Sequence, residues 1–495
     1  MQIAFVNNHN GNMKPTLLSF TSLLIYLGLI LAPLGISVHL GLPNRPWMDQ
    51  VSSNLGMLAF NIILLEFLST GRIKIISKLL GIDWVLQVHQ LFARTAVLLL
   101  VVHPFMYSLP SRPAYSPGPA NESYLGLSSN SFISGLVGLI ILGIMVGLAI
   151  TRNKSESKYE TWRAMHAIMA IAVALLGFHH TVHAGRFAQE PSMHLYWQAA
   201  LGLALLSIAW VYLVRPMTQS MNAYQVVSIK EKSHHIWELV IKHGCNKIAS
   251  YKAGQFAWLK IGSAAPLYEN PFSIASSPTN QSSQMTFLIK DIGDFTHQVT
   301  ELKAGDKIYV DAPYGNFGHG IFLNQTDEIV LIAGGVGIAP IASLLGEIAK
   351  NEQGRFTDKK IVLIYGNRIT EQIVDVRQMV NLSSLNNFEL IHVITEPDVS
   401  WKGLTGVLDR TSLEKILKSS GVNTNTAQYF VCGPAVMIDS VENALSELGV
   451  SLGQIDSEKF QYDFGQKNAR NRLSLASWLA ATGALIASAI YWVNR

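Results

Sequence analysis

Two stretches decide the fold: HQLFARTAVLLLVVH, from His89 to His103, and HAIMAIAVALLGFHH, from His166 to His180. Both lie in apolar runs that approach the roughly 20 residues a helix needs to cross a bilayer. An imidazole is costly in such a run unless it has a partner or a ligand. Histidines recur after 14 residues in each stretch, which is close to a whole number of helical turns. Because both segments are predicted to run in the same direction, their histidines lie at two matching depths, as pairs that could each hold a haem iron.

The end of the second stretch leaves one ligand open. Helical phase favours His180 as the partner of His103, because 13 residues of separation turn His179 about 140° away from the face of His166. Gly177 could loosen the helix and change that phase. The candidate metal ligands are therefore His89, His103, His166, His179 and His180. Arg94 and Arg163 are candidates to pair with haem propionates.

The composition also indicates a membrane protein. Of 495 residues, 49% are hydrophobic and only 14% are charged, which is too apolar for an ordinary soluble chain. Six segments before Val214 are candidate spans, the second being short: Thr16–His39, Leu55–Ser69, Trp84–Leu109, Phe132–Ile150, Trp162–His183 and Leu195–Val214. They define a predicted membrane domain over residues 16–214. A seventh apolar segment, residues 473–493, is predicted to be a C-terminal transmembrane helix.

Loop charges predict the orientation and the compartment. Lysine and arginine cluster in the loops after the second and fourth segments, and such loops remain cytoplasmic. These cations are Arg72, Lys74, Lys78, Arg152, Lys154 and Lys158. The only cysteines, Cys245 and Cys432, exclude a disulfide scaffold. The net charge of +4 is scattered and predicts no nucleic-acid partner. We expect a multi-pass protein of the cell (inner) membrane with its soluble half in the cytoplasm.

Beyond residue 216 the pattern changes to that of two soluble domains. Five short β-rich runs between turn signals predict an antiparallel barrel over residues 216–322. Four buried strands, most of them separated by helical segments, then predict a parallel α/β sheet over residues 325–464. The predicted fold is therefore a membrane α-helical bundle fused to an antiparallel β-barrel domain and an α/β domain.

The barrel region contains two motifs that suit a flavin nucleotide. Asn270 begins NPFSIASS, in which Pro271 fixes an extended backbone. Its candidate flavin contacts are Pro271, Phe272, Ser273, Ser276 and Ser277. About 20 residues later, Gly293, Phe295 and Thr296 belong to a turn that could bind a pyrophosphate through backbone N–H groups.

The α/β region contains the candidate nicotinamide nucleotide site. GGVGIAP, residues Gly334 to Pro340, follows a buried strand and opens a helix, so its glycines would allow a phosphate close to the helix N-terminus. The candidates within it are Gly334, Gly335, Gly337 and Pro340. Arg368 follows the next strand, where it either meets a 2′-phosphate or is solvated. Cys432, Gly433 and Pro434 end the last strand, at the edge where open α/β sheets bind ligands.

Together these residues resemble the ferric reductase and NADPH oxidase superfamily, from about residue 16 to 464. The membrane half is similar to its haem domain, and the soluble half to the ferredoxin–NADP reductase module. The resemblance implies FAD, two b-type haems and NADPH or NADH, with Cys432 beside the nicotinamide and an aromatic, Phe460 or Phe464, shielding the flavin. Family spacing on the fifth helix points to His179, in disagreement with helical phase. The seventh segment departs from the family pattern.

These features predict a transmembrane oxidoreductase. It would move electrons from cytoplasmic NAD(P)H through FAD and two haems to an extracytoplasmic ferric chelate or dioxygen. One alternative is an electron-transfer subunit that delivers electrons to a quinone or a partner protein. Another is a non-enzymatic channel or transporter with a nucleotide-binding domain. Besides the acceptor, membrane lipid is the expected partner, and the oligomeric state is open.

Overall fold

The computed structural model describes the chain in segments. They are residues 13–41, 46–70, 72–74, 76–77, 82–108, 129–151, 159–184, 187, 190–244, 250–265, 269–278, 283–323, 326–350, 355–458, 480 and 482–491. Phe460, Phe464 and Cys245 lie outside these residues, as do several loop cations named above.

Long apolar helices form the first half of the chain. They are α1 Met13–His39, α2 Trp47–Glu66, α3 Ile82–Ser108, α4 Ser129–Thr151, α5 Tyr159–His183 and α6, which covers Pro191–Ala209 and continues through a π-helical turn at Trp210–Val214 into Arg215–Met221. Within the described residues, four stretches are long and apolar enough to cross a membrane: Val85–Met106, Asn130–Thr151, Glu160–His183 and Pro191–Met221.

The second helix begins two turns earlier than the apolar pattern predicts. The expected span was Leu55–Ser69, whereas α2 runs from Trp47 to Glu66 and is buried over most of its length. Its first turns contain polar side chains that interrupt the apolar run yet pack inside the bundle: Asp49, Gln50, Ser52 and Asn54. Helix α2 packs against α1, α3, α5 and α6, so it is the central helix of this half.

Strands of the second half form two six-stranded sheets. The first contains β1 Tyr224–Ser233, β2 Ile236–His243, β3 Phe256–Ile261, β4 Asn270–Ser273, β5 Gln284–Lys290 and β6 Lys307–Tyr314, with α7 Asp294–Thr300 between β5 and β6. Its order is β4-β3-β6-β1-β2-β5 and every pairing is antiparallel. A bridge between Ile274 and Phe287 brings the end of β4 to β5. The sequence pattern missed β4, where Pro271 is tolerated because the strand is at an edge.

The second sheet is parallel throughout. After α8 His319–Leu323, it contains β7 Glu328–Gly334, β8 Lys360–Asn367, β9 Phe388–Ile394, β10 Leu404–Thr405, β11 Gln428–Cys432 and β12 Ile455–Glu458. The helices around it are α9 Ile338–Ala349, α10 Val376–Met379, α11 Arg410–Ser419 and α12 Ala435–Glu447. The strand order β10-β9-β8-β7-β11-β12 reverses direction between β7 and β11, which is where such sheets bind ligands.

The C-terminal helix, α13 Thr482–Tyr491, packs inside the membrane half. Leu485 and Ala489 are buried in the same apolar core as α2 and α3. Thr482 Oγ1 lies 3.0 Å from Thr95 Oγ1, and Asn54 Nδ2 donates to the Ala489 carbonyl at 2.9 Å. The seventh segment is therefore part of the helical bundle along its described residues.

Ion pairs with two buried carboxylates, Glu269 and Asp311, join the two halves. Glu269, beside β4, accepts from Arg72 at 2.7 Å and Arg163 at 2.6 Å, and lies 3.3 Å from Lys260. Asp311 on β6 pairs with Lys74 at 3.1 Å and with Arg215. We call these seven residues the junction cluster. Of its anions, Asp311 lies in the antiparallel sheet and Glu269 immediately precedes strand β4, and all its cations except Lys260 come from the membrane half.

Burial and neighbouring charges shift the pKa values of two residues in the junction cluster, Glu269 and Lys260. Burial alone would raise the pKa of Glu269, but Arg72, Arg163 and Lys260 outweigh it and the pKa is lowered. Burial lowers the pKa of Lys260 to about 8, although Glu269 opposes this shift. The soluble half therefore docks through ionised groups on the side of the bundle that carries Arg72 and Lys74. Arg163, expected as a candidate for a haem propionate, is engaged here by Glu269.

Candidate functional site

His103 on α3 faces His180 on α5. Their ring centroids are 6.4 Å apart and the ring planes are nearly perpendicular, at 83°. His103 Nδ1 lies 2.7 Å from the Ser52 carbonyl, and His180 Nδ1 lies 2.8 Å from the Ser131 carbonyl. Because a carbonyl only accepts, each Nδ1 carries the hydrogen and each Nε2 is left without one.

His179 has different neighbours. Its Nδ1 lies 2.9 Å from Ser134 Oγ, and its ring packs against His183 with centroids 4.4 Å apart. Helix α5 continues unbroken through Gly177 to His183, so the phase of a regular helix is kept. The structure therefore places His180 opposite His103, as helical phase predicts, and places His179 elsewhere.

We call His103 and His180 the outer pair, and His89 and His166 the inner pair. In the inner pair, His89 contacts a side-chain carboxylate instead of a backbone carbonyl. His89 Nδ1 lies 2.6 Å from Glu66 Oε2, and Glu66 Oε1 accepts from the Tyr26 hydroxyl at 2.5 Å. His166 stacks on Trp162, with ring centroids 5.3 Å apart. Among the described residues, its buried Nδ1 has no hydrogen-bond partner.

Glu66 is a site residue that the sequence reasoning missed. It lies at the end of a segment that was predicted mainly from its apolar residues. The available signal was its charge, because a lone carboxylate in an apolar segment needs a partner or a role.

The candidate flavin motif lies next to the carboxyl ends of β11 and β12. Ser273 Oγ lies 3.5 Å from Glu458 Oε2, and Glu458 is paired in register with Cys432. Glu458 is 4% exposed, and the sequence reasoning did not single it out because β12 is short. Asn270 Nδ2 is a buried donor with no partner in the part of the chain that is described. A polar group of a bound nucleotide would satisfy it.

Other residues predicted at the flavin make contacts within the protein. Phe272 stacks on Phe295, with centroids 5.7 Å apart. Ser276 Oγ lies 2.9 Å from the Tyr251 hydroxyl, and Ser277 Oγ donates to Glu347 at 3.0 Å. Pro271 lies in β4, opposite Trp258.

The Gly293 turn is closed by its own threonine. Thr296 Oγ1 accepts from the backbone N–H groups of Ile292 and Gly293, both at 2.9 Å. These two N–H groups are thus occupied in the structure. The expected pyrophosphate contact at Gly293, Phe295 and Thr296 stays a prediction.

The glycine-rich turn and the Cys432 turn are in direct contact. β7 and β11 are neighbours, with Ala333 opposite Cys432. A Cβ on Gly337 would lie 2.3 Å from the Cys432 carbonyl oxygen, and one on Gly433 would lie 3.0 Å from Gly334 Cα. Gly335 has a φ of 53°, and a Cβ there would meet open space. Glycine at these positions lets the two turns pack together while leaving one side open for a ligand.

The thiol of Cys432, at one end of this site, is uncharged. Cys432 is buried, and burial together with the Glu458 carboxylate raises the pKa of its thiol well above the usual value. Pro434 precedes α12 as its N-cap, and Pro340 lies in the first turn of α9. Because β7 and β11 are neighbouring parallel strands, Gly334, Cys432 and Gly433 lie at the same edge of the sheet.

Arg368 lies at the same edge but has a partner. Its Nε donates to Glu396 at 2.9 Å, and both side chains are more than half exposed. A 2′-phosphate at this position would compete with the Glu396 carboxylate. Phe460 lies outside the described residues, two positions beyond Glu458.

Two family models match the chain. Residues 55–177 match a model described as "Ferric reductase like transmembrane component", and residues 331–443 match one described as "Oxidoreductase NAD-binding domain". The first match contains His89, His103 and His166, and the second contains Gly334 and Cys432. The chain therefore joins a ferric-reductase-like transmembrane domain to an oxidoreductase NAD-binding domain. It is a membrane oxidoreductase with an NAD-binding domain.

Relatives with curated descriptions cover part of the chain. It is 31% identical over 191 residues to a subunit of the Na(+)-translocating NADH-quinone reductase of Idiomarina loihiensis, covering 38% of this chain and 43% of that protein. It is 29% identical over 243 residues to the probable dihydroorotate dehydrogenase B (NAD(+)), electron transfer subunit, of Thermococcus kodakarensis, covering 48% and 85%. The chain thus spans less than half the length of the first of these.

Among solved structures, the chain is similar to a ferredoxin NADP+ reductase from Neisseria gonorrhoeae with bound FAD and NADP. The TM-score is 0.41 at 20% identity, over 48% of this chain and 97% of the other.

Proposed function

We propose that the chain moves electrons from NAD(P)H through FAD and two b-type haems to an acceptor on the far side of the membrane. The observation that carries this proposal is the facing pair His103 and His180. A metal–nitrogen bond is about 2 Å and a ring nitrogen lies about 1.2 Å from its ring centroid. Two imidazoles whose Nε2 atoms face one iron from opposite sides would therefore have centroids roughly 6–6.5 Å apart. The observed separation of 6.4 Å fits this requirement.

The histidines fit haem better than a bare metal ion. The described residues contain no group of three or more histidine, cysteine or carboxylate side chains that could hold an ion. Paired imidazoles would each supply one nitrogen ligand to a haem iron, so two histidines are enough to hold it. His89 and His166 would hold the inner haem, and His103 and His180 the outer one.

The soluble half would hold the donor side. When bound, the flavin would convert a hydride into single electrons, and the haems would relay them one at a time. Gly334 to Pro340 would receive the nucleotide phosphates, and Cys432 would present a neutral thiol beside the nicotinamide. Ser273 and Glu458 would lie along the edge of the flavin, and we propose that Phe460 shields the flavin ring.

The junction cluster supports electron transfer between the halves. It fixes the antiparallel sheet against the end of the bundle that contains His89 and Glu66, rather than the end that contains His103. By the positive-inside rule this end is cytoplasmic, so the inner haem would be the nearer one to the flavin.

For the acceptor we propose a ferric chelate or dioxygen outside the cytoplasm. A second candidate is a partner protein or a quinone. It is favoured by the two relatives whose names describe them as subunits of larger assemblies.

The test is anaerobic addition of NADH or NADPH to the purified full chain in detergent. The proposal expects rapid bleaching of a flavin absorbance followed by reduced haem bands. Ferric citrate or dioxygen should then reoxidise the haems with turnover, with ferrous iron or superoxide as product. Haem reduction without turnover on either acceptor would favour the subunit alternative. Absence of haem reduction by both nucleotides would contradict the proposal.

A further inference from the structure

Each of the two facing histidine rings, His103 and His180, lies in close contact with a glycine of a neighbouring helix. A Cβ built on Gly56 of α2 would be 2.9 Å from both Nδ1 and Cε1 of His103. A Cβ built on Gly135 of α4 would be 2.5 Å from Nδ1 of His180. Both distances are far below the roughly 3.5–4.0 Å of an ordinary carbon contact.

The same rings use the carbonyl one turn before each glycine. His103 Nδ1 contacts the carbonyl of Ser52, four residues before Gly56. His180 Nδ1 contacts the carbonyl of Ser131, four residues before Gly135. In an α-helix that carbonyl already accepts from the N–H of the glycine itself. The missing side chain therefore exposes its second lone pair to the imidazole.

We propose that Gly56 and Gly135 are positioning residues for the outer haem, an inference that rests on the proposed function. Each glycine, with the carbonyl four residues earlier, forms a seat that we call a glycine seat. It fixes the hydrogen on Nδ1 and directs Nε2 into the space between α3 and α5. The two seats repeat one pattern, a serine followed by glycine four positions later, on α2 and on α4.

A ring held in this way has little freedom to move aside. The carbonyl holds one edge of the imidazole, and the opposing histidine ring lies 6.4 Å away. Metal–ligand distances tolerate only about 0.2 Å of change, whereas a Cβ on Gly135 would displace the ring by about 1 Å to reach normal contact. The inner pair has no such dependence at His89, because Glu66 replaces the carbonyl.

The experiment compares alanine substitutions at glycines of the helical bundle. Gly135→Ala and Gly56→Ala test the seats, and Gly143→Ala on α4 is the matched control, because a Cβ there meets nothing within 4 Å. Alanine favours a helix over glycine by about 0.5–1 kcal/mol, so helix propensity cannot explain a loss. The readouts on the purified full chain are haem per FAD and the low-spin haem signals in electron paramagnetic resonance.

The inference expects each seat variant to lose the outer haem signal, halving the haem per FAD, while Gly143→Ala retains both signals. If Gly135→Ala fails to fold, the double variant Gly135→Ala with His180→Ala should recover FAD and the inner haem, because no ring then meets the Cβ. Two unchanged haem signals in both seat variants would overturn the inference alone. So would a double variant that still fails to fold when His180→Ala alone folds. A wild-type protein without haem would instead overturn the proposed function.

Discussion

Glu66 Oε2 lies 2.6 Å from His89 Nδ1 inside the helical bundle, and the same carboxylate accepts from Tyr26. The corresponding groups at His103 and His180 are neutral backbone carbonyls. A carboxylate makes a histidine ligand more basic than a carbonyl does. The inner site would therefore stabilise oxidised iron more strongly, which favours electron flow from the inner site to the outer one.

Glu66→Gln tests this difference, because it keeps a hydrogen-bond acceptor and removes the charge. We expect the midpoint potential of one haem to rise by about 60 mV, a tenfold change in its one-electron equilibrium, with the other unchanged. Redox titration of the purified protein measures both potentials. Equal shifts in both haems, or no shift, would be inconsistent with a local role for Glu66.

Glu269→Gln tests the junction cluster. The substitution removes the anion that Arg72, Arg163 and Lys260 share, and loss of one partner of a buried ion pair costs about 3–5 kcal/mol. We expect FAD to be released at a lower temperature and the flavin-to-haem electron transfer to slow, with haem content unchanged. Flavin fluorescence during heating and stopped-flow absorbance measure the two effects. Glu301→Gln, at an exposed position of the same domain, is the control.

Lys260 gives the junction a dependence on pH. Its pKa is lowered to about 8 by burial, so between about pH 8 and the ordinary value of 10.5 the folded state binds fewer protons than the unfolded state. Stability therefore rises with pH across this window, by up to about 3 kcal/mol at 1.36 kcal/mol for each pKa unit. In Lys260→Met this rise should be absent. The measurement is the temperature of flavin release at pH 7.5 and 9.5 in both proteins. An equal change of this temperature with pH in the wild type and in Lys260→Met would show that Lys260 is not the group responsible.

Glu396→Gln tests the nucleotide preference. In the wild type the Glu396 carboxylate occupies Arg368 and would repel a 2′-phosphate. We expect the substitution to improve KM for NADPH relative to NADH by about tenfold. Arg368→Ala should not show this gain. Steady-state reduction of a soluble dye by each nucleotide gives both constants, and an unchanged ratio would place the 2′-phosphate elsewhere.

Regular patterns within single elements were predictable from the sequence. The 14-residue histidine spacing identified the face of α5 that meets His103, because that helix continues without a break through Gly177. The family spacing that favoured His179 does not identify the residue opposite His103. The glycine-rich turn after β7 and the position of Cys432 at the end of β11 followed from buried strands and turn residues.

Contacts between distant elements were not predictable in this way. Glu66 meets His89 only because α2 and α3 pack side by side, and Ser273 meets Glu458 only when the two sheets come together. The polar first turns of α2 are buried by neighbouring helices, which an apolar pattern cannot reveal. Gly56 and Gly135 have no signal of their own, because their role depends on a ring from another helix.

The central claim is that histidines of α3 and α5 hold two haems, with His180 as the outer ligand. The most direct measurement is the number of haems per FAD in the wild type, His180→Ala and His179→Ala, from pyridine haemochrome spectra of purified protein. We expect two haems per FAD in the wild type, one in His180→Ala and two in His179→Ala. A wild type with no haem, or the loss of one haem in His179→Ala but not in His180→Ala, would contradict it.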